Sequence, residues 1–404
     1  MPFDSRRGAA AMTAEYYAWQ SSVDTVHGRR VAIAWKAGLP GAGDPDPAAA
    51  LLAEQIPADA QETMLTLQSG SGLVAVVAAA SENVGQLTAA DPNIVAVSAT
   101  RRSLELNEVA AKVDVVTSAD ARDLAPASSV DTVMLRLPKG KPRALLSIWS
   151  AYQVLKPGGR LFLAGAKQEG IKSYLRHMND LFGNTTGLAY RKGNRVAQAT
   201  KRETGASIPD QFQSSWLAHT YFHSFPVEIA GEELSIQSRP GIFAWDRLDQ
   251  GSRALIETMQ VSAGDGLLDL GCGSGIVGVA AARAGAGSVT MVDADVDAVL
   301  AAERSAAVNG LQGARVQQSD CGEAILDQRF DLVVTNPPFH QGRANDYAAG
   351  QQFVRDASAI LRPGGRFYLV ANRFLVYEEE MQRQFDGVET AFQDNRYKVL
   401  LGRK

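Results

Sequence analysis

At 404 residues, with 46% apolar and 21% charged side chains, the chain has the composition of a two-domain globular protein, not of a disordered tail. Its longest apolar stretch, around Leu73 to Ala80, is far too short to cross a bilayer, and a net charge of −4 argues against a surface that binds nucleic acid all over. Two cysteines 49 positions apart, Cys272 and Cys321, lie outside any CxxC or Cys/His cluster, which argues against a disulfide framework or metal site and fits a reducing cytoplasm.

Residues 1–30 read as an N-terminal extension. They carry Arg6 and Arg7 but no apolar run of a secretory signal, and Met12 offers a second possible start. From 31 to 200 the chain reads as one α/β domain. It holds a glycine turn at Leu65-Thr-Leu-Gln-Ser-Gly-Ser-Gly, a buried strand at Val130-Asp-Thr-Val-Met-Leu-Arg-Leu-Pro, and the turn and strand Leu155-Lys-Pro-Gly-Gly-Arg-Leu-Phe-Leu. Between Arg136 and Thr204 fourteen Lys and Arg face three acids, Glu169, Asp180 and Glu203. Such a basic concentration in an acidic protein suggests phosphate contacts, with Arg136, Lys139, Lys141, Arg143, Arg191, Lys192 and Arg195 as candidates; a solvated face is the alternative. Tyr174, Phe182 and Tyr190 could stack on bases, but helical spacing favours core positions. Residues 201–248, with Pro209, Pro226 and Pro240 and the aromatics Phe212, Trp216, Tyr221, Phe222 and Phe225, read as a structured linker containing a β-hairpin.

The sharpest signal begins at Gly266. Leu267 to Leu270 is a short buried strand, Asp269-Leu-Gly-Cys-Gly-Ser-Gly275 a tight turn, and Ile276 to Ala284 an Ala-rich helix. Gly271, Gly273 and Gly275 let backbone approach a ligand, and Asp269 would repel phosphates, which separates this loop from a phosphate cradle. The string resembles motif I of class I methyltransferases, in which the loop carries the methionine and ribose of S-adenosylmethionine and the acid helps hold its amino group. A second strand, Ser288 to Val292, ends in Asp293, about twenty residues on, where a carboxylate accepts from ribose hydroxyls. After a helix from Val296 to Asn309, strand Ala314 to Gln318 leads to Asp320, placed to accept from the adenine amine, with Cys321 beside it.

Asp331 to Thr335 form the next buried strand, and Asn336-Pro337-Pro338-Phe339 sit at its carboxyl edge, where open α/β sheets bind ligands. Two prolines force the chain out of the sheet in a rigid, extended form. The Asn336 oxygen and Pro337 carbonyl can then accept the protons of an incoming NH2 group, while Phe339 offers a face to a planar base. A helix at Val354 to Leu361, a turn at Arg362-Pro-Gly-Gly, a strand at Arg366 to Val370 and a closing antiparallel strand at Tyr397 to Leu401 complete a domain over 249–404.

The two halves align in three places in order, at an offset of roughly 200 residues, which marks a domain duplication. Thr66 stands opposite Asp269, Gln68 opposite Gly271, Ser98 near the place of Asp293, and Arg136-Leu137-Pro138 opposite Asn336-Pro337-Pro338. A guanidinium neither accepts from an amine nor tolerates a sulfonium, so the first copy is expected to have lost its cofactor site.

A degenerate copy ahead of an Asn-Pro-Pro-Phe copy, with Pro-Gly-Ile-Phe and Leu-Asp-Gln-Gly-Ser between them and Val370-Ala-Asn-Arg-Phe-Leu375 after, resembles the bacterial ribosomal RNA guanine-N2 methyltransferases of the small-subunit methyltransferase C type. The resemblance implies two tandem Rossmann-like domains, each a mostly parallel seven-stranded sheet flanked by helices. It also implies S-adenosylmethionine as cofactor, S-adenosylhomocysteine as product, no metal, and ribosomal RNA or a ribosomal subunit as partner, with no protein partner evident. In that family reading Asn336 to Phe339 hold guanine, Phe243 and the turn from Asp249 to Ser252 border the cofactor, and the first copy positions RNA. Large-subunit RNA, adenine N6, a protein glutamine amide, or a non-catalytic assembly role remain alternatives, since the motif specifies amine methylation without its substrate.

Overall fold

The computed structural model describes residues 15–39, 46–57, 62–82, 84–203, 207–338 and 344–404. The chain forms two compact units: Trp19–Tyr221, and Phe222–Lys404 together with the N-terminal Met1–Ala18.

The first unit opens with a hairpin, β1 (Gln20–Val26) and β2 (Arg29–Trp35). Its main sheet holds β3 (Glu62–Leu67), β4 (Val84–Asp91), β5 (Val113–Thr117), β6 (Val130–Arg136), β7 (Leu155–Ala166), β8 (Thr186–Arg191) and β9 (Asn194–Thr200), in the order β5-β4-β3-β6-β7-β9-β8. Only β8 and β9 run antiparallel to their neighbours. Helices α1 (Pro47–Ala53), α2 (Leu73–Ala79), α3 (Ile94–Leu106), α4 (Lys141–Val154) and α5 (Ile171–Phe182) cover it. Both faces are therefore apolar, and Val133, Met134 and Leu135 on central β6 are all fully buried.

The second unit repeats this plan. A hairpin, β10 (His223–Ile229) and β11 (Glu232–Ser238), precedes β12 (Gly266–Leu270), β13 (Ser288–Asp293), β14 (Arg315–Gln318), β15 (Phe330–Thr335), β16 (Leu361–Asn372), β17 (Gly387–Gln393) and β18 (Tyr397–Arg403). The sheet order is β14-β13-β12-β15-β16-β18-β17, with α6 (Gln250–Thr258), α7 (Ile276–Arg283), α8 (Val296–Val308), α9 (Ala344–Ile360) and α10 (Glu378–Gln384) alongside. The last strand is inserted between β16 and β17, so the sheet closes on β17 and not, as the sequence suggested, on the C-terminal strand.

The duplication reaches further upstream than the sequence alignment. In each unit the hairpin is clasped to the helix after the second sheet strand by a Ser/Asn pair one turn apart. Asn309 donates to the Ser235 carbonyl at 2.7 Å and Ser305 accepts from Gln237 N at 3.0 Å. Asn107 donates to the Ala32 carbonyl at 2.6 Å and Ser103 accepts from Ala34 N at 2.9 Å. Each unit thus begins at its hairpin. Residues 20–30 are part of the first unit and not of an extension, and 223–248 are part of the second and not of a linker.

Register also corrects one correspondence. Asp91 ends β4 as Asp293 ends β13; each carboxylate accepts from a loop glycine, Gly70 N at 3.0 Å and Gly273 N at 2.9 Å. The counterpart of Asp293 is therefore Asp91, not Ser98, which lies inside α3.

Candidate active site

The site lies at the carboxyl edge of β12, β13, β14 and β15, four parallel neighbours whose ends converge. β12 is buried on both faces and delivers Asp269 with 2% exposure. The turn that follows needs glycine for two different reasons. At Gly271, φ is +78° and a Cβ would stand 2.9 Å from the Phe353 ring. At Gly273, φ is +55° but the nearest atom a Cβ would meet is Ile242 Cγ2 at 3.9 Å, so here the backbone borders open space that a ligand can fill. Phe243, next to that isoleucine, is 65% exposed at the rim.

Two carboxylates hold this loop, Asp269 buried and Asp293 half-buried. Asp293 accepts from Gly273 N and from Asp295 N, both at 2.9 Å, tying the turn to the next strand. Asp269 accepts from Gly278 N at 2.9 Å, which satisfies one of the orphan donors in the first turn of α7. Burial pushes Asp269 up to about 7, helped by Asp293 and opposed by the Gly278 N–H. Burial likewise raises Asp293 to about 6 against its backbone donors. Two carboxylates that resist ionisation side by side suit a cationic ligand, and the ammonium and sulfonium of S-adenosylmethionine fit that donor set. Cys272 is buried in the same loop, and burial, then Asp293 and Asp269, push its thiol well up, so it stays a neutral wall.

Asp320 follows β14 at 7% exposure, and Cys321 beside it adopts φ +46°. The Tyr16 hydroxyl donates to Asp320 Oδ1 at 3.4 Å, bringing residues 15–18 onto this edge. Nothing in the sequence marked those tyrosines, because the contact spans 304 positions.

Asn336 leaves β15 with its amide fixed. Nδ2 donates to Ser252 Oγ at 2.9 Å and to Asp249 Oδ2 at 3.3 Å. A carboxylate only accepts, so the nitrogen must face Asp249 and the oxygen must face away. That oxygen, Oδ1, is buried without a hydrogen-bond partner among the described residues. Asp249 also caps α6 by accepting from Ser252 N at 3.1 Å, so one turn both starts the helix and aims the asparagine. The turn from Asp249 to Ser252 thus meets Asn336, where the sequence reading put it at the cofactor. Pro337 is buried and Pro338 exposed, while Phe339 lies outside the described residues.

One strand over, the end of β16 forms an open cleft of about 490 Å³ lined by Asn372, Arg373, Phe374, Asn395 and Arg396. Arg396 donates to Gln250 Oε1 at 3.3 Å, which connects the cleft to the turn that holds Asn336. Phe374 is 60% exposed there, an aromatic face beside two guanidinium groups; the sequence placed it in the stretch Val370-Ala-Asn-Arg-Phe-Leu375 but gave it no role.

The first unit shows why its own edge differs. Thr66, paired in register where Asp269 is paired, buries its hydroxyl without a partner. Ala119 stands where Asp320 stands, one residue past a serine whose N–H bonds the preceding strand's final carbonyl. Arg136 fills the position of Asn336, ion-paired to Asp46 at 2.7 Å and to both Glu169 oxygens at 2.8 Å. It is therefore committed inside the unit and not part of an exposed basic face. Arg143 is likewise buried at 4% exposure, and Arg191 is paired to both Glu54 oxygens at 2.7 and 2.8 Å. Lys139, Lys141 and Lys192 are exposed, and Arg195 lies over the Tyr190 ring at 4.4 Å. Phe182 is core and Tyr174 packs against it, as helical spacing suggested, whereas Tyr190 is 62% exposed.

A doubly wound sheet with this strand order, a glycine turn between two strand-end acids and an amide acceptor at the next strand's edge define a class I, S-adenosylmethionine-dependent methyltransferase. The methyltransferase small domain family model matches twice, over residues 30–198 and 233–401. Relatives called ribosomal RNA small subunit methyltransferase C include those of Hahella chejuensis, 32% identical over 67% of this chain and 76% of the relative, and Chromohalobacter salexigens, 34% identical over 69% and 80%. The T. thermophilus 16S rRNA N2-guanine methyltransferase RsmC, solved in complex with AdoMet and guanosine, superposes with a TM-score of 0.80 at 30% identity, covering 97% of this chain and 99% of that one. The chain belongs to the ribosomal RNA small subunit methyltransferase C family, built on two methyltransferase small domains.

Proposed function

We propose that this chain transfers a methyl group to the exocyclic N2 amine of a guanine in small-subunit ribosomal RNA, with chemistry confined to the second unit. The observation that carries the reading is the buried, unpartnered Asn336 Oδ1, whose direction is fixed by Asp249 and Ser252. When bound, S-adenosylmethionine supplies an electrophilic methyl on a sulfonium. Asn336 Oδ1 accepts one N2 proton and the Pro337 carbonyl the other, drawing the nitrogen lone pair out of the ring and towards the methyl. As the N–C bond forms and the C–S bond breaks, both oxygens stabilise the charge growing on nitrogen, and the surplus proton passes to water. No strong base is needed; in-line positioning supplies most of the acceleration. Asp269 holds the amino group of the cofactor, Asp293 its ribose hydroxyls and Asp320 its adenine amine, with Gly271, Gly273, Gly275, Cys272 and Cys321 as walls. Phe243 borders the cofactor, and the base must be turned out of its helix to enter.

RNA contacts are made in the second unit by the cleft of Arg373, Phe374 and Arg396, and in the first unit by the exposed Lys139, Lys141 and Lys192 and the half-buried Arg195, acting on phosphates and unstacked bases. Among the described residues no helix is long and apolar enough to cross a membrane. We place the enzyme in the bacterial cytoplasm with its ribosomal substrate.

The test is methyl incorporation from labelled S-adenosylmethionine into unmodified small subunits, large subunits and naked rRNA, followed by nucleoside identification. N2-methylguanosine in the small-subunit RNA is expected. Asn336→Ala should cut turnover by about 100-fold or more with cofactor binding retained. Asp249→Asn, which lets the Asn336 amide turn over, should lower turnover about tenfold. Label in N6-methyladenosine, or in protein alone, would overturn the reading.

A further inference from the structure

The N-terminal segment at 15–18 belongs to the second unit although the whole first unit separates them in the chain. Two adjacent tyrosines make the attachment. Tyr16 is 5% exposed, and its hydroxyl donates to Asp320 Oδ1 at 3.4 Å while receiving the Cys321 thiol at 3.4 Å. The Tyr17 hydroxyl donates to Asp356 Oδ2 at 2.5 Å and lies 3.4 Å from the Asp320 carbonyl oxygen. The two rings meet edge to face, centroids 5.1 Å apart.

All these partners bear on one turn, at 320–322. Asp356 Oδ2 also accepts from Gly322 N at 2.9 Å, and its Oδ1 accepts from Gln352 Nε2 at 2.7 Å. A Cβ on Gly322 would come 2.9 Å from Asp356 Cβ. Cys321, between the two anchored residues, sits at φ +46°, a conformation that costs a non-glycine residue roughly 1 kcal/mol and persists only where neighbours enforce it. Burial pushes both tyrosine hydroxyls far above their ordinary value, so they remain donors throughout the physiological range.

We propose that Tyr16 and Tyr17 are positioning residues of the adenine subsite: Tyr16 sets the Asp320 carboxylate for the exocyclic amine of adenine, and Tyr17, through Asp356, holds the turn that carries it. This rests on Asp320 as the adenine acceptor. Residues 15–18 thus act at the adenine subsite of the second unit although they precede the first unit in the chain.

The test is calorimetric titration of the full-length chain and its Tyr16→Phe, Tyr17→Phe and Asp320→Asn variants with S-adenosylhomocysteine and S-inosylhomocysteine. The inosyl ligand offers an oxygen where adenine offers its amine, so the ratio of the two affinities reads the contact of Asp320 with the base. That ratio does not depend on the fraction of protein that is folded. Asp320→Asn should collapse the preference for adenine, and Tyr16→Phe should reduce it by about three- to tenfold, the worth of one ordinary intramolecular hydrogen bond. Tyr17→Phe should weaken both ligands alike, its loss falling on KM for S-adenosylmethionine and not on kcat. Preference lost in Asp320→Asn but kept in Tyr16→Phe overturns the proposal alone. Preference kept in both removes the adenine role of Asp320 and the proposal with it. Tighter binding by Tyr16→Phe overturns it by marking the segment as a plug.

Discussion

Desolvation of Asp269 and Asp293 beside the glycine turn gives single residues a measurable pH signature. Asp269 rises from an ordinary 3.8 to about 7 in the folded chain, and Asp293 to about 6. The folded state therefore holds protons that the unfolded state has released, and stability of the cofactor-free protein falls as pH rises from about 4 to 7. The loss from Asp269 is on the order of 2–4 kcal/mol. Asp269→Asn should raise the melting temperature of the cofactor-free protein at pH 8, leave it near wild type at pH 4, and abolish tight cofactor binding. A wild-type melting profile between those pH values that Asp269→Asn does not flatten would sink this assignment. These acids were legible in the sequence because strand ends and a glycine turn fix their spacing. The orientation of Asn336 was not, since it depends on Asp249 and Ser252, 87 and 84 positions away.

Two glycines of one turn should respond differently to the same change. Gly271→Ala forces a methyl against Phe353 on α9 and should lower the melting temperature as well as cofactor affinity. Gly273→Ala meets no atom closer than 3.9 Å, so it should cost only the roughly 1 kcal/mol of a left-handed alanine and still lose the cofactor, whose space the methyl takes. Melting curves with and without S-adenosylhomocysteine separate the two; equal destabilisation would place Gly273 in the packing and not at the ligand. Strands of the second unit were readable because parallel strands buried on both faces appear as continuous apolar runs. The order of β17 and β18 was not, because both are antiparallel and the period of two says nothing about which neighbours β16.

For the whole molecule, duplication without duplicated chemistry predicts one cofactor per chain. Thr66, Ala119 and the Arg136 cluster replace the acid, adenine and amide positions in the first unit, so titration with S-adenosylhomocysteine should saturate at a ratio of one. A second site surviving Asp293→Ala would contradict this. The duplication was legible in its strand and turn motifs, but the first copy was begun inside its hairpin, at residue 31, and the second after its hairpin, at 249. The Ser103/Asn107 and Ser305/Asn309 clasps are side chains bonding to backbone, which any hairpin sequence can supply. The contact of Tyr17 with Asp320 spans 303 positions and encloses the entire first unit in its loop. As the chain is synthesised, the tyrosines emerge long before the turn they brace. The turn at 320–322 is thus among the last parts of the second unit to be braced, and a fragment beginning at Phe222 leaves behind both hydroxyls that bond to Asp320 and Asp356.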